Sequence, residues 1–372
     1  MSTFIPVNIP KFYGNEIERV RRCLEDGWVS SEGPVIAEFE ARIADLVRRK
    51  HAIAVCNGTA ALSVAVASLR LPPGSEVILP TLTIISCAEA LVRNGLKPVL
   101  VDVDPATWNM LAADVAKKIT PRTSAIMIVH LYGLPVDVDP ILALAEKHGL
   151  KVIEDAAEML GQAYRAKPCG SFGDVSTFSF YPNKTVTTGE GGMVVTDDDQ
   201  IAAASRRFRN LCFEPPRRFV HRELGWNFRM TSLQAALGVA QAENLGESVK
   251  RKREIGARYE RGLARLSKLA RPVVRTDYAD NIYWIYGLVL SDVLSFDADG
   301  AMKLLEERGV GTRPFFWPMH EQPVFRAMGL FEGERYPVAE RLARRGFYLP
   351  SGIGLTDEQI DRVVTVCQEV FA

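Results

Sequence analysis

Cysteine and histidine are sparse in this chain, and neither is grouped. The six cysteines (Cys23, Cys56, Cys87, Cys169, Cys212 and Cys367) contain no Cys-x-x-Cys pair, and the five histidines contain no His-x-x-x-His pair. Zinc sites and small disulfide scaffolds rest on such spacings, so neither is indicated and no metal is expected. Net charge is absent as well, because 45 Lys and Arg offset 45 Asp and Glu. That leaves no overall field to draw nucleic acid or an anionic membrane. No apolar run is long enough to cross a bilayer, and the first residues lack a basic segment followed by an apolar core. A cytoplasmic protein acting on a small molecule is therefore expected. Two nucleotide-binding signatures are also missing: neither Gly-x-Gly-x-x-Gly nor Gly-x-x-x-x-Gly-Lys-Ser/Thr occurs in its proper strand-to-helix context.

What is present is an ordinary globular composition, 47% apolar and 24% charged over 372 residues, enough for two domains around a large core. After an amino-terminal arm, residues 15–24 and 36–47 carry helical spacing, as in Ile36, Phe39, Ile43 and Leu46. From residue 51 short β-branched runs alternate with helical segments, at 52–56, 76–79, 98–102, 125–129 and 151–155. Such alternation predicts βαβ units, hence an α/β fold with a mostly parallel central sheet and helices on both faces. Past Gln234 a Glu/Lys/Arg-rich helical stretch runs through Leu269, followed by a strand at 285–290. The division predicted is an arm and large α/β domain over 1–245 and a small carboxyl-terminal α+β domain over 246–372.

Three segments carry chemistry. Asn57-Gly58-Thr59-Ala60 follows a strand and opens an Ala-rich helix, which puts backbone N–H groups and a hydroxyl where an anion binds. The same residues would equally make a tight turn and a helix cap. Asp155 ends an apolar strand; a carboxylate there either caps the next helix or pairs with a protonated ring nitrogen. Ser179 and Lys184 stand at the end of the strand-like Asp174–Phe180 run, ahead of the turn Gly189-Glu-Gly-Gly192. Open α/β sheets bind ligands at such strand ends. An anion cradle, a strand-end aspartate and a Ser-x-x-x-x-Lys turn, in this order, are what a pyridoxal phosphate enzyme requires.

Ordered motifs along nearly the whole chain carry a resemblance. They are Gly27-Trp-Val-Ser-Ser-Glu-Gly33, Asn57-Gly-Thr59, Val129-His-Leu-Tyr-Gly133, Glu154-Asp-Ala-Ala-Glu158, Phe178-Ser-Phe-Tyr-Pro-Asn-Lys184, Gly189-Glu-Gly-Gly192, Gly225-Trp-Asn-Phe-Arg-Met230, Arg313-Pro-Phe-Phe-Trp-Pro-Met-His320 and Leu349-Pro-Ser351. The chain resembles the fold-type I, pyridoxal phosphate-dependent nucleotide-sugar aminotransferases of the DegT/DnrJ/StrS type. The resemblance implies that Lys184 forms the Schiff base with pyridoxal 5′-phosphate, that Asp155 pairs with the ring nitrogen, and that Glu158 lies near the phenolic oxygen. It implies that Gly58, Thr59, Ala60 and Ser179 hold the phosphate, joined by Asn227 from the other subunit of a homodimer with shared active sites. L-Glutamate would be the amino donor and pyridoxamine phosphate the form between the two half-reactions. Trp28, Ser30, Arg229, Arg313 and His320 are candidates for the nucleotide-linked keto sugar, each with a purely structural alternative as packing anchor, ion pair or buried histidine.

Within that family, Lys184-Thr-Val-Thr-Thr-Gly-Glu-Gly-Gly-Met193, Glu158 and Val103-Asp-Pro-Ala-Thr-Trp-Asn-Met110 look most like the C-4 enzymes that act on GDP-4-keto-6-deoxymannose, the perosamine synthases. This implies surface-polysaccharide, O-antigen-type biosynthesis. A UDP- or dTDP-linked keto sugar is the alternative substrate. Ile84 stands where the family usually has an aromatic, and it is expected near the cofactor. Related dehydratases carry histidine in place of the lysine, so Lys184 opposes that reading. A non-catalytic, cofactor-binding regulator is the rival from another class; no basic segment or DNA-binding motif supports it.

Overall fold

A computed structural model describes residues 4–372. Seven strands form the large sheet: β1 (His51–Val55), β2 (Glu76–Pro80), β3 (Lys97–Val101), β4 (Thr123–Val129), β5 (Lys151–Asp155), then β8 (Val175–Ser179) and β9 (Gly192–Thr196). A two-residue hairpin, β6 (Ala163–Tyr164) with β7 (Lys167–Pro168), lies between them in sequence and outside that sheet. The order is β1-β9-β8-β5-β4-β2-β3. Pairings from β8 through β3 are parallel, whereas β9 runs antiparallel to both β8 and β1. The mostly parallel α/β architecture expected from the sequence is thus present, with an antiparallel edge.

Alternate residues along each strand bury against opposite faces, because successive strand side chains point to opposite sides. Ile53, Val77, Leu79, Met127 and Val194 pack with helices α3 (Gly58–Ser68) and α4 (Ile85–Arg93). Ala52, Ile78, Ile126, Ile128 and Val195 pack on the other side with residues of α2 (Pro34–Val47), α6 (Val138–His148) and α8 (Ser232–Glu243). The helix α1 (Asn15–Glu25) docks on α8. Helices α5 (Ala112–Lys118) and α7 (Asp199–Phe208) complete this half.

The long helical stretch past Gln234 is two helices rather than one. α8 ends at Asn244, and α9 (Leu245–Gly262) begins immediately after it. Asn244 sits outside helical geometry, at φ −107° and ψ 15°. A second sheet of four short strands follows, in the order β10 (Leu269–Ala270), β11 (Tyr286–Leu290), β13 (Gly346–Leu349), β12 (Arg313–Pro314), antiparallel throughout. Among the described residues, no helix is long and apolar enough to cross a membrane.

Backbones cross closely where the large sheet meets α3. A Cβ on Gly192 would stand 2.3 Å from the carbonyl oxygen of Asn57, and one on Gly58 would stand 2.8 Å from Cβ of Ser179. Only hydrogen fits at either point, so these glycines set the spacing between the start of α3 and the ends of β8 and β9. Gly192→Ala should therefore lower stability by about 1–3 kcal/mol through overpacking against backbone that cannot retreat. Chemical denaturation of the variant measures it, and an unchanged midpoint would show that the crossing is not tight.

Candidate active site

Because β2, β4, β5 and β8 run parallel, their carboxyl ends open on one edge of the sheet. There a cavity of about 1250 Å³ is lined by Gly58, Thr59, Ile84, Asp155, Glu158, Ser179 and Lys184, and by Tyr132, Trp284 and Arg313. Each comes from a different local device. Lys184 rides the loop between β8 and β9, whose base is pinned where Phe180 N–H donates to the Gly191 carbonyl and Thr188 N–H donates to that of Phe180. The Thr187 hydroxyl donates to the Phe180 carbonyl at 3.0 Å, and Gly189 takes the left-handed turn at φ 77°.

Asp155 is buried at the end of β5. Its Oδ1 accepts the Ala157 N–H at 3.0 Å, and its Oδ2 accepts the Cys87 thiol at 3.2 Å. Glu158 follows one turn later, and its Oε2 accepts the Tyr132 N–H at 2.6 Å. Tyr132 reaches it from a left-handed backbone, φ 59°, a conformation uncommon for a bulky residue and often found at functional positions. The Lys184 Nζ lies 4.0 Å from Glu158 Oε1 and 4.0 Å from the centre of the Trp284 ring. Trp284 in turn stacks on Tyr132, the planes 8° apart, and donates Nε1–H to the Asn183 carbonyl at 3.0 Å.

Burial shapes the charges here. It pushes the Lys184 ammonium below the usual lysine range, against the opposing pull of Glu158 and Asp155. Burial also lifts the Glu158 carboxyl to about 7, aided by Asp155 and opposed by Lys184 and the Tyr132 N–H bond. The Cys87 thiol is driven well up by burial and by the Asp155 charge, so it remains a donor to that carboxylate.

The residues present fit pyridoxal phosphate. Thr177 Oγ1 and Asn183 Oδ1, both of residues lining the cavity, are buried without a hydrogen-bond partner, and a buried polar atom left so asks for a ligand. The first turn of α3 presents the Gly58 and Thr59 amides, which have no partner inside the helix. Asn57 is both the cap and the turn: its Oδ1 accepts the Ala60 N–H at 2.8 Å. Ala60 is accordingly buried with its amide engaged and does not line the cavity, unlike Gly58 and Thr59. The Thr59 hydroxyl bonds that of Ser86 at 2.7 Å.

Not every sequence candidate gathers at this cavity. Trp28, Ser30 and Arg229 line a second one, of about 570 Å³, together with Arg206, Arg209 and Arg218. Asn227 is exposed and lines neither. His320 is corrected outright: it is 1% exposed, with Nδ1 bonded to Thr81 Oγ1 at 2.9 Å and Nε2 to Glu340 at 3.2 Å. Both nitrogens are engaged inside the protein and none is offered to a ligand. Ile84 does line the cavity, 43% exposed at the start of α4. Sequence reasoning gave no role to Trp284, Tyr132, Cys87 or Thr177; the Leu-Tyr-Gly following β4 was the one local sign of an unusual backbone.

Comparison with known proteins agrees with this geometry. The model of the DegT/DnrJ/EryC1/StrS aminotransferase family matches residues 11–368. A GDP-perosamine synthase of Caulobacter vibrioides is 44% identical over 368 residues, covering 99% of this chain and 98% of the relative. Another, from Escherichia coli O157:H7, is 39% identical over 99% and 98%. Among solved structures, DesV of S. venezuelae in complex with a ketimine intermediate superposes with a TM-score of 0.91 at 32% identity, over 99% and 98% of the two chains. The aminotransferase TlmJ of Streptoalloteichus hindustanus gives 0.91 at 30% identity, over 98% of each. With the lysine, the strand-end aspartate and the anion cradle in one cavity, this chain belongs to the DegT/DnrJ/EryC1/StrS family of pyridoxal phosphate-dependent aminotransferases.

Proposed function

We propose that this enzyme moves the amino group of L-glutamate to C-4 of GDP-4-keto-6-deoxymannose, yielding GDP-perosamine and 2-oxoglutarate. The observation that carries the chemistry is the largely buried Lys184 side chain, 13% exposed, set between Glu158 and the Trp284 face in the cavity that also holds Asp155. The nucleotide and sugar rest on the likeness to the GDP-perosamine synthases of Caulobacter vibrioides and Escherichia coli O157:H7.

When bound, pyridoxal phosphate supplies an electron sink for the pair released as the donor's Cα–H bond breaks. The protein groups do the rest. Gly58, Thr59 and Ser179 would hold the phosphate, and the Asp155 carboxylate would pair with the ring nitrogen and stabilise its charge. Glu158 would lie on the ring's phenolic side. The Lys184 Nζ, once free, takes the proton from glutamate Cα; in the second half-reaction it delivers a proton to C-4 of the sugar. Burial lowers the proton affinity of this amine, which favours the free base that this double duty needs.

The separate location of Trp28, Ser30, Arg229 and Asn227 supports a homodimer with composite sites, in which each subunit lends these residues to its neighbour's cavity. Arg313 already lines the cavity of its own chain and faces the substrate's phosphates.

Substrate comparison tests the reading directly. GDP-4-keto-6-deoxymannose should show the highest kcat/KM, with the new amine at C-4 by product NMR; preference for a dTDP- or UDP-linked sugar, or an amine at C-3, would replace it. Asp155→Asn should slow single turnover with glutamate by at least about a hundredfold, because an amide cannot stabilise the ring's charge. Unchanged rates would remove Asp155 from that role. In the cofactor-free protein, competitive acylation followed by mass spectrometry should titrate Lys184 below the usual lysine range. Glu158→Gln should lower that midpoint further, since the carboxylate's charge supports the ammonium; a rise would reverse the assigned coupling. Mixing inactive Lys184→Ala and Asn227→Asp proteins, after subunit exchange, should restore about a quarter of wild-type activity if the sites are shared across a twofold axis.

A further inference from the structure

A second buried lysine lies behind the first. Lys252, on α9, is 2% exposed, and among the described residues no carboxylate comes within ion-pair distance of it. Its Nζ instead donates to two backbone carbonyls, that of Trp284 at 2.7 Å and that of Ser351 at 2.6 Å. These carbonyls are related by the small sheet. The β11–β13 ladder pairs Tyr286 with Leu349 as its last step, and continuing that register by two residues sets Trp284 opposite Ser351. The ladder stops short of that pair: the Ser351 N–H donates to the Val7 carbonyl of the amino-terminal arm instead of across the sheet. The Trp284 and Ser351 carbonyls are left to Lys252, which supplies their donors.

What this clip holds is the residue against the catalytic lysine. Trp284 is 3% exposed, its ring 4.0 Å from the Lys184 Nζ and stacked on Tyr132, its Nε1–H on the Asn183 carbonyl next to Lys184. The indole is packed in the core, so it offers a fixed surface beside the Lys184 amine.

We propose that Lys252 is a positioning residue for the transfer reaction: by tying the Trp284 carbonyl to that of Ser351, it fixes the indole as the plate on which the unbonded Lys184 amine rests beside Glu158. This rests on the reading of Lys184 given above. Burial, with a smaller contribution from the Lys184 charge, pushes Lys252 down to about 7. A neutral amine still has two N–H bonds, one for each carbonyl, so the clip holds in either form.

The test uses cofactor-free full-length protein and measures the rate of covalent capture of pyridoxal phosphate, alongside the affinity for pyridoxamine phosphate, which binds without reacting. Lys252→Met should slow capture at least about tenfold while changing pyridoxamine phosphate affinity less than about twofold, because only the amine's placement is lost. Trp284→Leu should do the same, and the double variant should be no slower than the slower single, since both act through one plate. Lys252→Arg, which keeps donors for both carbonyls, should stay within about threefold of the parent. Capture by Lys252→Met within about twofold of wild type, or slowing that multiplies in the double variant, overturns the proposal. If Lys252→Met does not fold, Trp284→Leu decides: tenfold slower capture at unchanged affinity supports the plate, and unchanged capture overturns it. Failure of the wild-type protein to capture the cofactor at Lys184 would instead overturn the functional reading on which this rests.

Discussion

One largely desolvated amine organises the site. An ammonium withdrawn from water costs several kcal/mol unless it is paired, or gives up its proton, and the surroundings of Lys184 are arranged around that cost. Glu158 stands 4.0 Å away as a counter-charge, and the Trp284 face lies at the same distance on another side. Neither contact is close enough to lock the amine in place. The arrangement tolerates the group both charged and neutral, which is what a proton carrier needs. Supporting it falls to the backbone: a left-handed Tyr132 that presents its N–H to Glu158, and glycines that let α3 approach β8 and β9.

A buried polar network on β5 supports the opposite side. The Val136 N–H donates to His130 Nδ1 at 3.1 Å, which leaves the proton on Nε2 to donate to Glu154 at 3.0 Å. Glu154 also accepts from the Gly170 and Phe172 amides and from the Ser176 hydroxyl. Burial alone would raise its carboxyl, but the His130 hydrogen bond together with the amides holds it below the usual range. Because Glu154 and Asp155 are consecutive on a strand, their side chains leave on opposite faces. Every partner of Glu154 thus fixes the backbone from which Asp155 enters the cavity. A fully satisfied network of this kind rigidifies what it touches.

Much of this was legible in the sequence. Parallel strands announced themselves by β-branched runs at 125–129 and 151–155, and the chemistry-bearing residues stood at the strand ends where such sheets bind ligands. Lys184, Asp155, Glu158, Ser179, Gly58 and Thr59 accordingly meet in one cavity. What sequence could not convey was contact between distant segments. Trp284 lies a hundred residues beyond Lys184 and reads as an ordinary apolar residue before a strand. Lys252 reads as one more cation in a charged helix, yet the fold buries it. The break at Asn244 lies inside a run of helix-forming residues and is marked only by that asparagine and by Gly246, and β9 is antiparallel because the Lys184 loop returns directly, without a crossover helix. His320 shows the converse, a polar residue in a suggestive motif that the fold turns inward onto Thr81 and Glu340.

The amine that anchors the cofactor should belong to Lys184 and to no other lysine. Borohydride reduction of the pyridoxal phosphate-loaded protein, followed by peptide mapping, addresses it most directly. A single reduced adduct should form, on the peptide containing Lys184. An adduct on Lys252 or on any other lysine, with Lys184 unmodified, would contradict it.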